Sequence, residues 1–95
     1  AQVFMATKKE QFQELYGLFL KIKSKNDAEL LLKDILTSDE LSSISERLQI
    51  FKLLLKEVPH RKISKTLKVS ISKVTRGSHA LKKSKSVISK PTRKR

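Results

Sequence analysis

The chain contains no cysteine, only two glycines and two prolines, and just four phenylalanines and one tyrosine. Without cysteine, disulfides and thiolate metal sites are excluded, and two histidines alone do not make a metal centre. With so few glycines and prolines, and no stretch that alternates apolar with polar residues, the sequence predicts helices throughout. No run of about 18 apolar residues occurs, so no transmembrane helix is expected. The first residues lack the charged, then apolar, then small-residue order of a signal peptide; Met5 is a candidate start, and the expected workplace is the cytoplasm. No nucleophile–base pair, phosphate loop or metal cluster is legible, and no enzymatic activity is expected.

One further absence is confined to part of the chain. Residues 58–95 contain no Asp or Glu, yet hold 13 Lys and Arg; residues 1–57 balance nine cations against nine anions. The whole net charge of +13 therefore lies in the last 38 residues. A neutral, apolar front part suits a scaffold, and a purely cationic back part suits a polyanion such as nucleic acid. A membrane-surface role is disfavoured because the basic part has no continuous apolar face.

Ninety-five residues with 38% hydrophobic composition make one small domain, for which pairing of two chains would add buried surface. Over 8–23, Phe12, Leu15, Tyr16, Phe19 and Ile22 recur at three- and four-residue steps and predict a first helix, broadened by Leu18 and Leu20. Asn26 with Glu29 suits a capping box opening a second helix through Ile35, and Thr37 with Glu40 suits another. The third helix, 38–56, carries Leu41, Ile44, Leu48, Phe51 and Leu55 on one side and Ile50, Leu53 and Leu54 on the other. A helix apolar around most of its circumference belongs in an interior, including one shared with a second copy. Pro59 is expected at the first position of a fourth helix. Ser70 is a candidate N-cap for a fifth helix over 71–82. Ile63, Leu67, Val69, Ile71 and Val74 would close a small core between these two, which describes a helix-turn-helix. Lys68 stands in its turn where glycine is usual. From Lys83 onward a mobile basic tail is expected, and residues 1–7 are expected to be flexible.

Two segments carry a family resemblance. SISKVTRGSHALK (70–82) resembles the recognition-helix signature of the tryptophan repressor family, and LTSDELSSISERLQI (36–50) resembles its central-helix segment. The likeness covers roughly residues 12–82, with one residue fewer near Pro59. It implies an all-α intertwined homodimer with a helix-turn-helix at about 60–82, which represses transcription from a palindromic operator when L-tryptophan binds. By that resemblance Arg47 and Arg76 flank the ligand ring and meet its carboxylate. Gly77 allows close approach, and Leu36 and Thr37 of the other subunit line the amino end. The DNA-facing set is Arg61, Ser64, Ile71, Ser72, Lys73, Thr75 and Lys82. The chemistry agrees, since a guanidinium stacks on rings, forks onto carboxylates, and reads guanine O6 and N7.

The sequence departs from the family pattern at Lys73 and Ala80, which stand where the family has small hydroxyl residues, and at Asp34, which replaces an apolar one. Lys73 would approach either the ligand carboxylate or a phosphate. Two alternatives to a tryptophan-responsive repressor follow: a basic architectural or RNA-associated protein without corepressor, or the same fold serving a different carboxylate effector.

Overall fold

The computed structural model describes residues 5–88; the N-terminal residues before Met5 and the end of the basic tail lie outside them. The described residues form five helices and no strand, and the fold is all-α. The chain divides into two units that meet in sequence at Ser38 and Asp39.

The first unit holds α1 (Lys8–Phe19) and α2 (Lys25–Ile35). Thr7 begins α1 with a full capping box: the Glu10 amide donates to Thr7 Oγ1 at 3.1 Å, and the Thr7 amide donates to Glu10 Oε1 at 2.8 Å. Two of the orphan donors of a helix start are thereby satisfied. The helix stops at Phe19, earlier than the apolar period suggests. The Leu20, Lys21 and Ile22 amides each fall back on the carbonyl three residues before, a tightening that closes an α-helix.

The start of α2 corrects the expected Asn26–Glu29 box. The cap is Ser24, whose hydroxyl accepts from the Asp27 amide at 3.0 Å, while Asp27 Oδ2 accepts from the Lys23 amide at 3.2 Å. A serine hydroxyl followed three residues later by a carboxylate does the same work two positions earlier. Glu29 instead pairs with Lys33 one turn on, at 2.8 Å. The hydrogen bond from Lys33, with its charge, holds the Glu29 carboxyl below its ordinary range and raises Lys33 reciprocally. Both groups are exposed to water, so the pair adds little stability.

The second unit carries almost all of α3 (Ser38–Leu55), then α4 (His60–Leu67) and α5 (Ile71–Lys83). α3 ends on Glu57 with φ 61. The Glu57 amide donates to the Leu54 carbonyl and the Val58 amide to that of Leu53, which is the Schellman pairing that normally uses glycine. Pro59 is the N-cap of α4, at φ −59 and ψ 145, and not its first helical residue as expected. Its extended ψ keeps it outside the helix while its carbonyl accepts from the Ile63 amide at 3.0 Å.

The turn between α4 and α5 is a tight one. Lys68 takes the left-handed conformation, φ 57 and ψ 46. The Lys68 and Val69 amides both donate to the Ser64 carbonyl, and the Ser64 hydroxyl donates to the Val69 carbonyl at 2.6 Å. Ser70 then caps α5, accepting from the Lys73 amide at 3.2 Å. A β-carbon in the left-handed region costs on the order of 1 kcal/mol, a cost that Glu57 and Lys68 each carry.

Four buried residues, Ile50, Ile63, Val69 and Val74, make the core of this unit, with Leu53, Leu54, Val58 and Leu67 packed around them. Ile71, expected in that core, is 46% exposed, because it opens α5 one turn before the buried Val74. Gly77 is buried on the inner face of α5. A β-carbon there would lie 2.9 Å from Ile50 Cγ2, and Ile50, at 3% exposure, has no room to yield.

Gly77→Ala should therefore destabilise the protein, although alanine is the better helix former by about 1 kcal/mol. Overpacking of this kind costs about 1–3 kcal/mol, and Glu57→Gly should stabilise by about 1 kcal/mol. Urea denaturation of both variants measures the two signs; a Gly77→Ala variant at or above wild-type stability would show that α3 and α5 have slack.

Candidate functional site

Beside the Gly77 contact, α3 and α5 enclose a cleft of about 480 Å³, within the range of about 300–1,000 Å³ typical of small-molecule sites. α3 contributes Ser43, Glu46, Arg47, Ile50 and Phe51, and α5 contributes Lys73, Arg76, Gly77 and Ala80. The apolar part comes from Ile50, Phe51 and Ala80. The polar part is three cations, one carboxylate and the Ser43 hydroxyl.

The helical period places these groups together. On α3, Ser43, Glu46, Arg47, Ile50 lie at steps of three and four; on α5, so do Lys73, Arg76, Gly77 and Ala80. Arg47, Arg76 and Gly77, three of the five residues expected to bind ligand, thus meet in one cleft. Gly77 has a second role that sequence reasoning did not assign: its missing β-carbon faces Ile50, Leu54 and Phe51. Its first service is to let two helices approach. Leu36 and Thr37 lie in the chain's first unit, and the cleft draws no residue from before Ser43.

Both departures from the family pattern, Lys73 and Ala80, line this cleft. Lys73 Nζ lies 2.9 Å from Glu46 Oε1, an ion pair joining α5 to α3. The two partners are 27 residues apart, a separation no local pattern reports. Lys73 and Glu46 are 55% and 37% exposed, so the pair is partly screened by water. Among the described residues no other cross-helix ion pair forms, which leaves Arg47 and Arg76 as uncompensated cations facing a cleft with an apolar floor.

The outer face of α5 carries most of the residues expected to face DNA. Val74, Gly77, Ser78 and Leu81 turn inward, while Ile71, Ser72, Lys73, Thr75 and Lys82 are exposed. Arg61 is exposed at the start of α4. Ser64 differs from the rest of its expected DNA-facing set: it is part-buried and spends its hydroxyl hydrogen on the Val69 carbonyl inside the turn. Lys82 also borders a smaller hollow of about 370 Å³ floored by Leu54, Val58 and Leu81. Among the described residues no group of metal-ligating side chains occurs, and no helix is long and apolar enough to cross a membrane.

The chain matches the family model described as Trp repressor protein over residues 10–90. It is 38% identical over 74 residues to a Trp operon repressor homolog of Vibrio atlanticus, covering 77% of this chain and 76% of that protein. A homolog of the same name from Xylella fastidiosa is 33% identical over 73 residues, 76% of this chain and 79% of its own length. Another, from Histophilus somni, is 32% identical over 81 residues, 84% of this chain and 76% of that one. No solved structure matches the chain. The helix order, the turn between α4 and α5 and the agreement with relatives along most of the sequence lead to one conclusion: the chain belongs to the Trp repressor protein family.

Proposed function

We propose that this protein is a transcriptional repressor that binds a palindromic operator as a homodimer in the cytoplasm and responds to L-tryptophan. The observation that carries the reading is the cleft of Arg47, Arg76 and Gly77 lying directly behind the helix that bears Ile71, Ser72 and Thr75 on its outer side. A ligand held there touches both the scaffold helix and the reading helix, and so can favour one placement of α5 over others.

The residues present suit the amino acid. Ile50 and Phe51 offer apolar surface, and two unpaired guanidinium groups can stack on a ring or fork onto a carboxylate. When bound, the amino acid supplies a planar ring and an anionic group that link α3 to α5. Leu36 and Thr37 of a second subunit would complete the amino end. On the DNA side Arg61 carries the fork suited to a guanine edge, Ile71 the apolar contact suited to a thymine methyl, and Ser72 and Thr75 the adaptable hydroxyls. Lys82 suits a phosphate.

The homodimer is supported by apolar surface without cover. α1 leaves Phe12, Tyr16 and Phe19 at 49, 57 and 45% exposure, and α3 leaves Ile44, Leu48 and Leu55 at 49, 42 and 50%. Surface of this kind, on a chain with only four buried apolar residues among those described, marks an interaction face. Two heads so joined would meet successive major grooves about 34 Å apart.

The chain has no tryptophan and one tyrosine, so bound L-tryptophan can be followed by its own fluorescence anisotropy. Saturable binding is expected, weakened about tenfold or more in Arg76→Ala, since a hydrogen bond to a charged group is worth about 1.5–3 kcal/mol. No anisotropy change up to millimolar protein would remove the corepressor while leaving the DNA claim standing. Sedimentation should give a two-chain mass at micromolar concentration, with Leu48→Glu shifting it to one chain or unfolding it; a wild-type single chain contradicts the dimer. Footprinting on the protein's own promoter should give one discrete, two-fold symmetric protection that sharpens with L-tryptophan. Diffuse protection would favour a basic coat protein instead.

A further inference from the structure

Three lysines of the helix-turn-helix are used by neither the cleft nor the reading face. Lys62 and Lys65 are exposed on α4, and Lys68 is exposed at its C-cap, so that they follow one another at three-residue steps. None of them has a carboxylate partner: both ion pairs among the described residues involve other lysines, and no acid follows Glu57 in the sequence. The opposite side of α4 is the packed one, with Ile63 fully buried and Ser64 and Leu67 part-buried. The lysines therefore form the solvent side of an element whose other side fixes it to α5.

Two features argue that this row is more than a solvated face. Lys68 holds the left-handed conformation of the turn, where glycine would be unstrained. Lysine at that position is worse for the fold, and what it brings is a cation at the tip of the turn. The residue type is the second feature. A lysine ammonium is a compact point charge without the planar fork that reads a base edge. Three lysines in succession suit phosphates, whose spacing along a strand is independent of sequence. In a helix-turn-helix the first helix crosses the sugar–phosphate backbone while the second enters the groove, and α4 is that first helix.

We propose that Lys62, Lys65 and Lys68 form a phosphate-binding row for one strand of double-stranded DNA, adding sequence-independent affinity that does not pass through the effector cleft. The row rests on the reading of the chain as a DNA-binding repressor. It raises operator and non-operator affinity alike, and so sets a ligand-independent floor beneath any response to an amino acid.

The test compares wild-type protein, the triple variant Lys62→Gln/Lys65→Gln/Lys68→Gln and the single variant Lys68→Gly by titrating operator and random duplexes over a range of salt. Each lost phosphate contact should reduce the log–log salt slope by about 0.9, giving a drop of roughly 2–3 for the triple variant. The ratio of operator to random affinity should stay unchanged, as should the fold-enhancement by L-tryptophan. Lys68→Gly should be more resistant to denaturant than wild type and yet bind both duplexes more weakly, with a slope lower by about 0.9; because it stabilises the turn, its loss of affinity cannot come from misfolding. An unchanged slope in both variants would falsify the row, and so would a collapse of the operator-to-random ratio, which would make these lysines base readers. Wild-type protein that binds no duplex at all would overturn the repressor reading itself.

Discussion

Ile50 is the residue on which the second unit turns. Its side chain sits on α3, is almost fully enclosed, and joins Ile63, Val69 and Val74 in the only core among the described residues. It also presses against the position where Gly77 has no β-carbon. Fully burying one such side chain is worth about 1.5–3 kcal/mol, so with only four buried apolar residues each is a large share of what holds this unit together. The same contact shapes the cleft, because Ile50 and Gly77 belong to its wall as well as to the core. Packing and the shape of the cleft are thus coupled by shared residues: whatever alters the α3–α5 approach alters both.

Electrostatics divides labour along the same line. α3 begins with Asp39 and Glu40 in its first turn, where negative charge favours the helix start, and it carries Glu46 to the cleft. α4 and α5 have no acid at all. Their cations cannot be neutralised locally, except for Lys73, which borrows Glu46 from α3. The head is therefore suited as a whole to a polyanion, and on the function proposed above discrimination among sequences would fall to the few residues on the outer face of α5.

Helix number, helix order, the Ser70 cap and the position of the turn were all legible, because each follows from spacing within a few residues. So was the meeting of Arg47 with Arg76, through the resemblance of two motifs. The failures have separate physical causes. Asn26 lost to Ser24 because two overlapping hydroxyl-or-amide caps compete and only the backbone decides between them. Ile71 stands outside the core because a helix's first residue precedes the turn that packs. The partner of Lys73 and the packing role of Gly77 depend on contacts across helices, about which a local period says nothing. Lys68 was visible as an oddity, and its left-handed backbone shows that the turn kept its ordinary shape and absorbed the strain.

The Lys73–Glu46 pair bears on how far the protein depends on an effector. It ties α5 to α3 between two residues that line the cleft. An exposed ion pair contributes about 0.2–1 kcal/mol, and 1 kcal/mol is about a fivefold change in an equilibrium. Moving a two-state head from almost wholly misplaced to almost wholly placed takes about 5.5 kcal/mol. On the function proposed above, the pair would bias α5 toward one placement but could not stand in for a ligand that bridges both helices. Its larger consequence is chemical. With Lys73 engaged by Glu46, the cleft offers a carboxylate two guanidinium groups and one ammonium that is already shared, so an incoming anion must either accept two partners or displace Glu46. For the carboxylate effector proposed above, selectivity would be set by competition between two carboxylates for one lysine, a contest in which the protein's own group is tethered and the ligand's has the advantage of two arginines.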